Sequence, residues 1–294
     1  MKLKSTYAAL PQVAEFIEWL ASELDSQELF RHAYIDRRSG AKWQCTSLFD
    51  AYQGYAWNHP GNKRLDFKKG DSVQSNVKAL DALRHDLLAA GEDDERTLQA
   101  AVDVMAWGGV TAHNVQWLQT HRVGLAKRLN DVKTAFMSND FSAPVLRSSD
   151  LRFNSGMTKI YSLMCPEFVI YDSRVAAALG MLVVKYCKAQ GLTQVPESLC
   201  FPWAGAKEAV SSLSPKQRNP STGSLKFQRL RAGSHHALWN MRCNWVLNQV
   251  LKHPLAANSA FHSIAAPQQP VRAIEQALFM IGYDLGANEI AAAE

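Results

Sequence analysis

Apolar residues recur at a 3.6-residue spacing along almost the whole chain, and this period admits helices and little else. Val13, Phe16, Ile17 and Leu20 form one such stripe and predict a helix over Gln12–Leu24. Further helices are expected from Ser75 to Gly91, from the acidic run Glu92–Glu95 to Trp107, from His113 to His121 and from Val123 to Met137. Gly91 is a natural C-terminal stop, and the acids of the next segment suit the positive end of a helix. Ser173–Gln190 reads as one helix with Val175, Leu179, Leu182 and Val183 inward; His235–Lys252 and Val271–Tyr283 complete the set. From Tyr34 to Asp71 the chain is aromatic and irregular, with turn signals at His59-Pro60-Gly61 and Lys69-Gly70-Asp71. The one strand-like run is Phe168–Tyr171, after Pro166. Ser211–Ser224 reads as a loop and Asn288–Glu294 as a frayed tail. The expected class is all-α. The chain divides into an N-terminal helical and irregular segment (1–74), a helical core (75–191) and a basic helical segment (192–294), all within one globular unit.

Several function classes fall away. The longest apolar run, Val175–Val184, has ten residues, whereas a membrane span needs roughly twenty. Pro11 and Glu15 interrupt any signal-peptide core near Lys2 and Lys4. A cytoplasmic protein without a membrane partner is therefore expected. The five cysteines (Cys45, Cys165, Cys187, Cys200, Cys243) lack zinc or iron–sulfur spacing. They read as free thiols, and no metal or cofactor is expected.

Charge is distributed unevenly. The net charge is +5, yet Ala209–Ile274 has no acidic residue and eight cations, so the remainder sums to about −3. Such a single-sign stretch suits a polyanion, although a solvated basic face is the plain alternative. Lys63-Arg64 and Lys68-Lys69 form a second, shorter basic run.

Chemistry concentrates in Asn154–Gly180. A tight turn at Ser155-Gly156 leads into a short helix bearing Lys159; Pro166 ends it, and an extended return runs to Asp172, the N-cap of the next helix. Six helical residues advance about 9 Å and seven extended ones cover about 23 Å, so both side chains can face one site.

This segment resembles the helix-hairpin-helix DNA glycosylases. Ser155-Gly156-Met157-Thr158 looks like their DNA-gripping hairpin, Lys159 falls where the lysine of lyase-type members falls, and Tyr171–Val175 looks like their aspartate motif. With Trp107–Val110 upstream and Ala237–Asn240 downstream, the pattern is nearest to the bacterial proteins related to 8-oxoguanine glycosylase. The hairpin lacks the usual Gly-x-Gly, the Lys-to-Asp interval is shorter than in the best-known members, and the four-cysteine cluster motif of some relatives is absent.

The resemblance implies a two-lobed helical fold and a glycosylase that excises a damaged or modified base from double-stranded DNA. The base would be an oxidised purine, or a modified base of phage DNA in a defence role. It implies a catalytic Asp172 that stabilises an oxocarbenium-like transition state; an ordinary N-cap is the structural alternative. Lys159 is either a Schiff-base nucleophile, which needs a lowered pKa, or a phosphate contact or solvated helix residue. Trp107, Trp239 and Asn240 are candidates for the pocket of a flipped base, although core aromatics are the plainer reading of the two tryptophans. Lys216, Arg218, Lys226, Arg229 and Arg231 are expected on the DNA backbone, where binding is salt-dependent. A non-catalytic DNA-binding protein of the same fold is the alternative function.

Overall fold

In the computed structural model, which describes residues 2–37, 39–206 and 215–287, the chain is mostly helical, with 53% helix, 6% strand and twelve α-helices. The expected tail at Asn288–Glu294 and residues 211–214 of the expected loop lie outside the described residues. Among the described residues no helix is long and apolar enough to cross a membrane.

The periodic segments fold as helices, each stopped by its own local chemistry. α1 is Lys2–Ala8, and α2 (Pro11–Ser22) buries Val13, Phe16, Ile17 and Leu20. α4 (Val73–Ala89) starts at the Ser72 hydroxyl, which accepts from Ser75 N; Gly91, at φ 59°, follows its end. α5 (Asp94–Trp107) is capped by Asp93, which accepts from the N–H groups of Glu95 and Arg96. α6 (Asn114–Thr120), α7 (Leu125–Met137) and the one-turn α8 (Pro144–Arg147) follow. α9 (Met157–Met164) is short and almost wholly buried, and α10 (Ser173–Ala189) is capped by Asp172. α11 (Ser234–Lys252) and α12 (Pro270–Ile281) complete the set.

Two local expectations are corrected. The segment from Tyr34 to Asp71 is not irregular throughout. His32–Ile35 (β1) and Lys42–Cys45 (β2) form an antiparallel hairpin, with His32 opposite Cys45 and Ile35 opposite Lys42, followed by α3 (Leu48–Gln53). A two-stranded hairpin is marginal alone; here Tyr34 stacks on both Trp43 and Tyr283, whose ring centroids lie 4.8 and 4.5 Å away.

Phe168–Tyr171, in turn, is extended but pairs with no strand. Side chains take the place of a neighbouring strand. Val169 N donates to Asn244 Oδ1 (3.1 Å), Ile170 N to Glu275 Oε2 (2.8 Å) and Tyr171 N to Thr158 Oγ1 (3.1 Å). The carbonyls of Glu167, Phe168, Val169 and Tyr171 accept from Asn248, Arg272, Asn240 and His236. A buried backbone group left unpaired costs about 1–3 kcal/mol, so this segment depends on its side-chain partners.

The helices do not group by chain order. α4, α5, α6, α7 and α9 pack on one another, whereas α2, α3, α10, α11 and α12 pack together in a second set. One continuous apolar core runs through both sets. The return from α9 to α10 passes from the first set to the second. Where α12 ends, a Cβ on Gly282 would stand 1.9 Å from the Arg174 carbonyl, so only glycine allows this approach to the first turn of α10. Gly282→Ala is expected to cost about 2 kcal/mol or more through overpacking. Urea unfolding should show a lower midpoint with an unchanged slope.

Candidate active site

Asp172 and Lys159 meet where the two helix sets join. The chain between them folds back, and Lys159 Nζ stands 3.8 Å from Asp172 Oδ2. Both residues are buried, with 7% of the lysine side chain and 12% of the aspartate side chain still exposed. The two carboxylate oxygens have different duties. Oδ1 accepts from Arg174 N (2.9 Å) and Val175 N (3.2 Å) as the cap of α10, whereas Oδ2 accepts no hydrogen bond among the described residues. Lys159 Nζ donates to the Ser155 carbonyl at 3.0 Å.

Gly108 makes room for the lysine, since a Cβ there would stand 2.4 Å from Lys159 Cδ. The Trp107-Gly108-Gly109 run thus gives its close approach to a side chain of the protein itself. Gly109 in turn lies beside Trp57, whose indole N–H donates to the Trp107 carbonyl at 2.9 Å.

The electrostatics favour an ionised aspartate beside a weakened ammonium. Burial acts to raise the Asp172 pKa, but Lys159, Arg174 and the two helix N–H groups outweigh it and hold it below the usual carboxylate value. Burial pushes Lys159 down from the ordinary lysine value; Asp172 and Glu275 oppose this, and Arg174 and Arg272 add to it. Arg174 lies with its guanidinium 4.1 Å from the Phe279 ring centroid, 4.8 Å from Tyr283 and 5.8 Å from Trp57. Trp57 and Phe279 are half-buried. The buried Glu275 pairs with Arg272, and burial raises its pKa against that pairing.

The other predicted residues have the following places. Ser155 and Gly156 lead into α9, which Met157 and Thr158 begin, and the N–H groups of Gly156, Met157 and Thr158 already have partners inside the protein. Asn154 Oδ1 accepts from Gly156 N (2.8 Å) and Met157 N (3.1 Å), occupying the main-chain donors expected to grip DNA. The buried Thr158 hydroxyl donates to Asn240 and accepts from Tyr171 N. Asn240 is fully buried between Thr158 and the Val169 carbonyl, so its amide serves the return segment and not an open pocket. Trp107 is buried with its indole N–H on Asn76 Oδ1 at 3.1 Å. Trp239 is buried against Phe201 and beneath the Arg242 guanidinium. Trp107 and Trp239 therefore stand as core aromatics.

Arg218 also departs from its expected place on a backbone-binding face. It is buried, donates from Nε to the Tyr283 carbonyl (3.0 Å) and from Nη1 to Ser173 Oγ (2.6 Å), and has its pKa lowered to about 10 by burial. Lys216 is half-buried over the Tyr283 ring. Lys226, Arg229 and Arg231 are exposed, with the Arg229 guanidinium 4.4 Å from the Trp203 centroid. In the second basic run, Arg64 is bound by Asp86 and Asp103 at 2.5 Å each.

Sequence reasoning assigns no role of their own to Arg174, Trp57, Phe279, Glu275 or His236. One signal was present: His236, Asn240, Asn244 and Asn248 repeat every four residues and form a polar row along one side of α11. This is the row that holds the return segment. Among the described residues no group of three or more side chains is placed to hold a metal ion, and the five cysteines are free. Comparison of the chain with protein-family models, with curated proteins and with solved structures gave no match.

His236 gives the acid sensitivity of this site. Its Nε2 lies 2.6 Å from the Tyr171 carbonyl, and burial lowers its pKa to about 4 from 6.5. Between these values the unfolded chain binds the extra proton, so stability is full above pH 6.5 and is lost as pH falls toward 4. The loss from this group alone is about 3 kcal/mol. In His236→Gln, denaturation from pH 7 to 4 should lack that part of the slope.

Proposed function

We propose that the chain is a DNA glycosylase whose Asp172 stabilises positive charge developing on the deoxyribose as a damaged or modified base departs. The observation that carries this reading is the Asp172–Lys159 pair at the capped start of α10, in which the oxygen facing the lysine, Oδ2, accepts no hydrogen bond among the described residues. In the reaction the C1′–N bond breaks and its electron pair leaves with the base. The ionised carboxylate offsets the charge on C1′, and water adds there and loses a proton. An aspartate held below its usual pKa is a weak general base but a good electrostatic stabiliser and orienter of water.

The turn at Asn154–Gly156, α9, the extended return and Asp172 correspond in order to the hairpin and aspartate motif of the helix-hairpin-helix glycosylases, and the two helix sets would be the two lobes of that fold. With Trp107, Trp239 and Asn240 occupied in the interior, the surfaces for stacking a flipped base are Trp57 and Phe279, beside Arg174. Backbone contacts fall to the exposed Lys226, Arg229 and Arg231. Oxidised purine and modified phage bases are both substrates of the proposed class, in repair and in defence respectively. The partner is double-stranded DNA. Lys159 gains nucleophilicity from its lowered pKa. As a neutral amine it would attack C1′, expel the base and, after ring opening and proton loss, form a Schiff base.

A non-catalytic DNA-binding protein is the second reading, favoured by how far Asp172 and Lys159 are closed on each other. Duplexes carrying different modified bases, followed by mass analysis of released base, separate the two. Asp172→Asn should lower base release by about a hundredfold or more while retaining DNA affinity; a wild-type protein that releases no base from any duplex would leave only the binding reading. In a parallel borohydride trap the adduct should be lost in Lys159→Ala and should rise with pH as the amine deprotonates. An adduct that survives this substitution removes Lys159 from the covalent step.

A further inference from the structure

A cavity lies away from Asp172, between α6, α7 and the loop that leads into the hairpin. Its volume is about 300 Å³, and it is lined by Trp117, His121, Arg128, Ser149, Asp150, Leu151 and Arg152. The guanidinium Nε atoms of Arg128 and Arg152 are both buried without a hydrogen-bond partner. The Arg128 side chain makes no hydrogen bond or ion pair among the described residues, and the Arg152 side chain uses only Nη2, toward the His113 carbonyl and Asn114 Oδ1. Buried donors left unpaired are costly, and two of them around one cavity point to an acceptor from outside the chain. Guanidinium groups suit phosphate oxygens, which they bind through charge-assisted bonds.

The cavity is also larger than a phosphate needs and has a ring wall: Trp117 and His121 stack with centroids 4.5 Å apart and planes at 25°. Asp150 also lines the cavity, and a carboxylate can accept from the N–H edge of a base. We propose that this cavity binds a nucleotide, its phosphate on Arg128 and Arg152 and its base against the Trp117–His121 wall. The site is linked to the hairpin: Arg152 Nη2 and Asn154 Nδ2 both donate to Asn114 Oδ1, at 3.2 and 2.9 Å, and Asn154 caps the turn before α9. A nucleotide of a DNA strand crossing the hairpin, or a free nucleotide, presents the same chemistry.

The proposal does not depend on the catalytic reading, and calorimetry on the full chain tests it. Thymidine 5′-monophosphate should bind at least tenfold more tightly than thymidine, which lacks the phosphate, and inorganic phosphate should compete. Arg128→Gln should weaken the monophosphate by about tenfold, the loss of one charge-assisted contact. Arg128→Gln is the primary variant because Arg152 also bonds the α6 start; Trp117→Leu should weaken the monophosphate without affecting phosphate. Asp172→Asn should change none of these.

If the nucleotide belongs to a DNA strand, Arg128→Gln also weakens duplex binding and lowers its salt slope by about one. An unchanged duplex affinity with weakened monophosphate binding assigns the site to free nucleotides. Equal affinity for thymidine and its monophosphate, no binding of either, or monophosphate binding unchanged by Arg128→Gln overturns the proposal. Failure to release any base, with monophosphate binding intact, overturns the glycosylase reading alone.

Discussion

The return from Glu167 to Tyr171 has no strand beside it, and side chains of three helices take that place. Asn240, Asn244, Asn248 and His236 come from α11, Arg272 and Glu275 from α12, and Thr158 from α9. Backbone donors and acceptors must be satisfied wherever they are buried, so the segment ties the three helices to one register. Asp172 follows Tyr171 directly, and its position is inherited from that network. Phe168, Val169, Ile170 and Tyr171 are also core residues, so the return joins the position of the carboxylate to the packing of the interior.

Around this network the protein buries charges that a structure built only for stability would exclude. Asp172 and Lys159, and Arg272 with Glu275, lie in the interior, with Arg174 and Arg218 close to them. Replacing such pairs with apolar side chains of similar volume is often neutral or stabilising, so they are not needed for stability alone. Their arrangement is asymmetric. Arg272 and Glu275 spend their bonds on the return segment, and Arg218 spends its own on Ser173 and the end of α12. Asp172 Oδ2, by contrast, accepts no hydrogen bond among the described residues and faces Lys159 Nζ, which donates to the Ser155 carbonyl. The Arg128–Arg152 cavity repeats the theme on the other side of the hairpin, with unpaired donors grouped beside aromatic rings.

How much could be read in advance differs between helices and site. The stripe in α2, the acidic start of α5 and the glycine after α4 are local signals, and helices stand where they predicted. The β1–β2 hairpin escaped notice because its stabilising partner, Tyr283, is more than two hundred residues distant. The glycines beside Trp107 and the basic surroundings of Asn240 suggest a base pocket, yet the fold uses each residue for an internal hydrogen bond. The four-residue row of His236, Asn240, Asn244 and Asn248 was visible, but its occupant was not, since polar rows on helices usually face water.

By itself the sequence determined the helical class, the ends of most helices, the position of Asp172 as a cap and the presence of a lysine within reach of it. Those properties depend on neighbours a few residues apart, through 3.6-residue periodicity and local capping bonds. Tertiary structure alone decided that Lys159 meets Asp172 at 3.8 Å, that Arg218 turns inward, and that Trp57, Phe279 and Tyr283 surround Arg174. The reason is that these contacts join elements far apart in the chain. Their burial sets the pKa shifts of the aspartate and the lysine, and burial is a property of the packed fold, not of the residue.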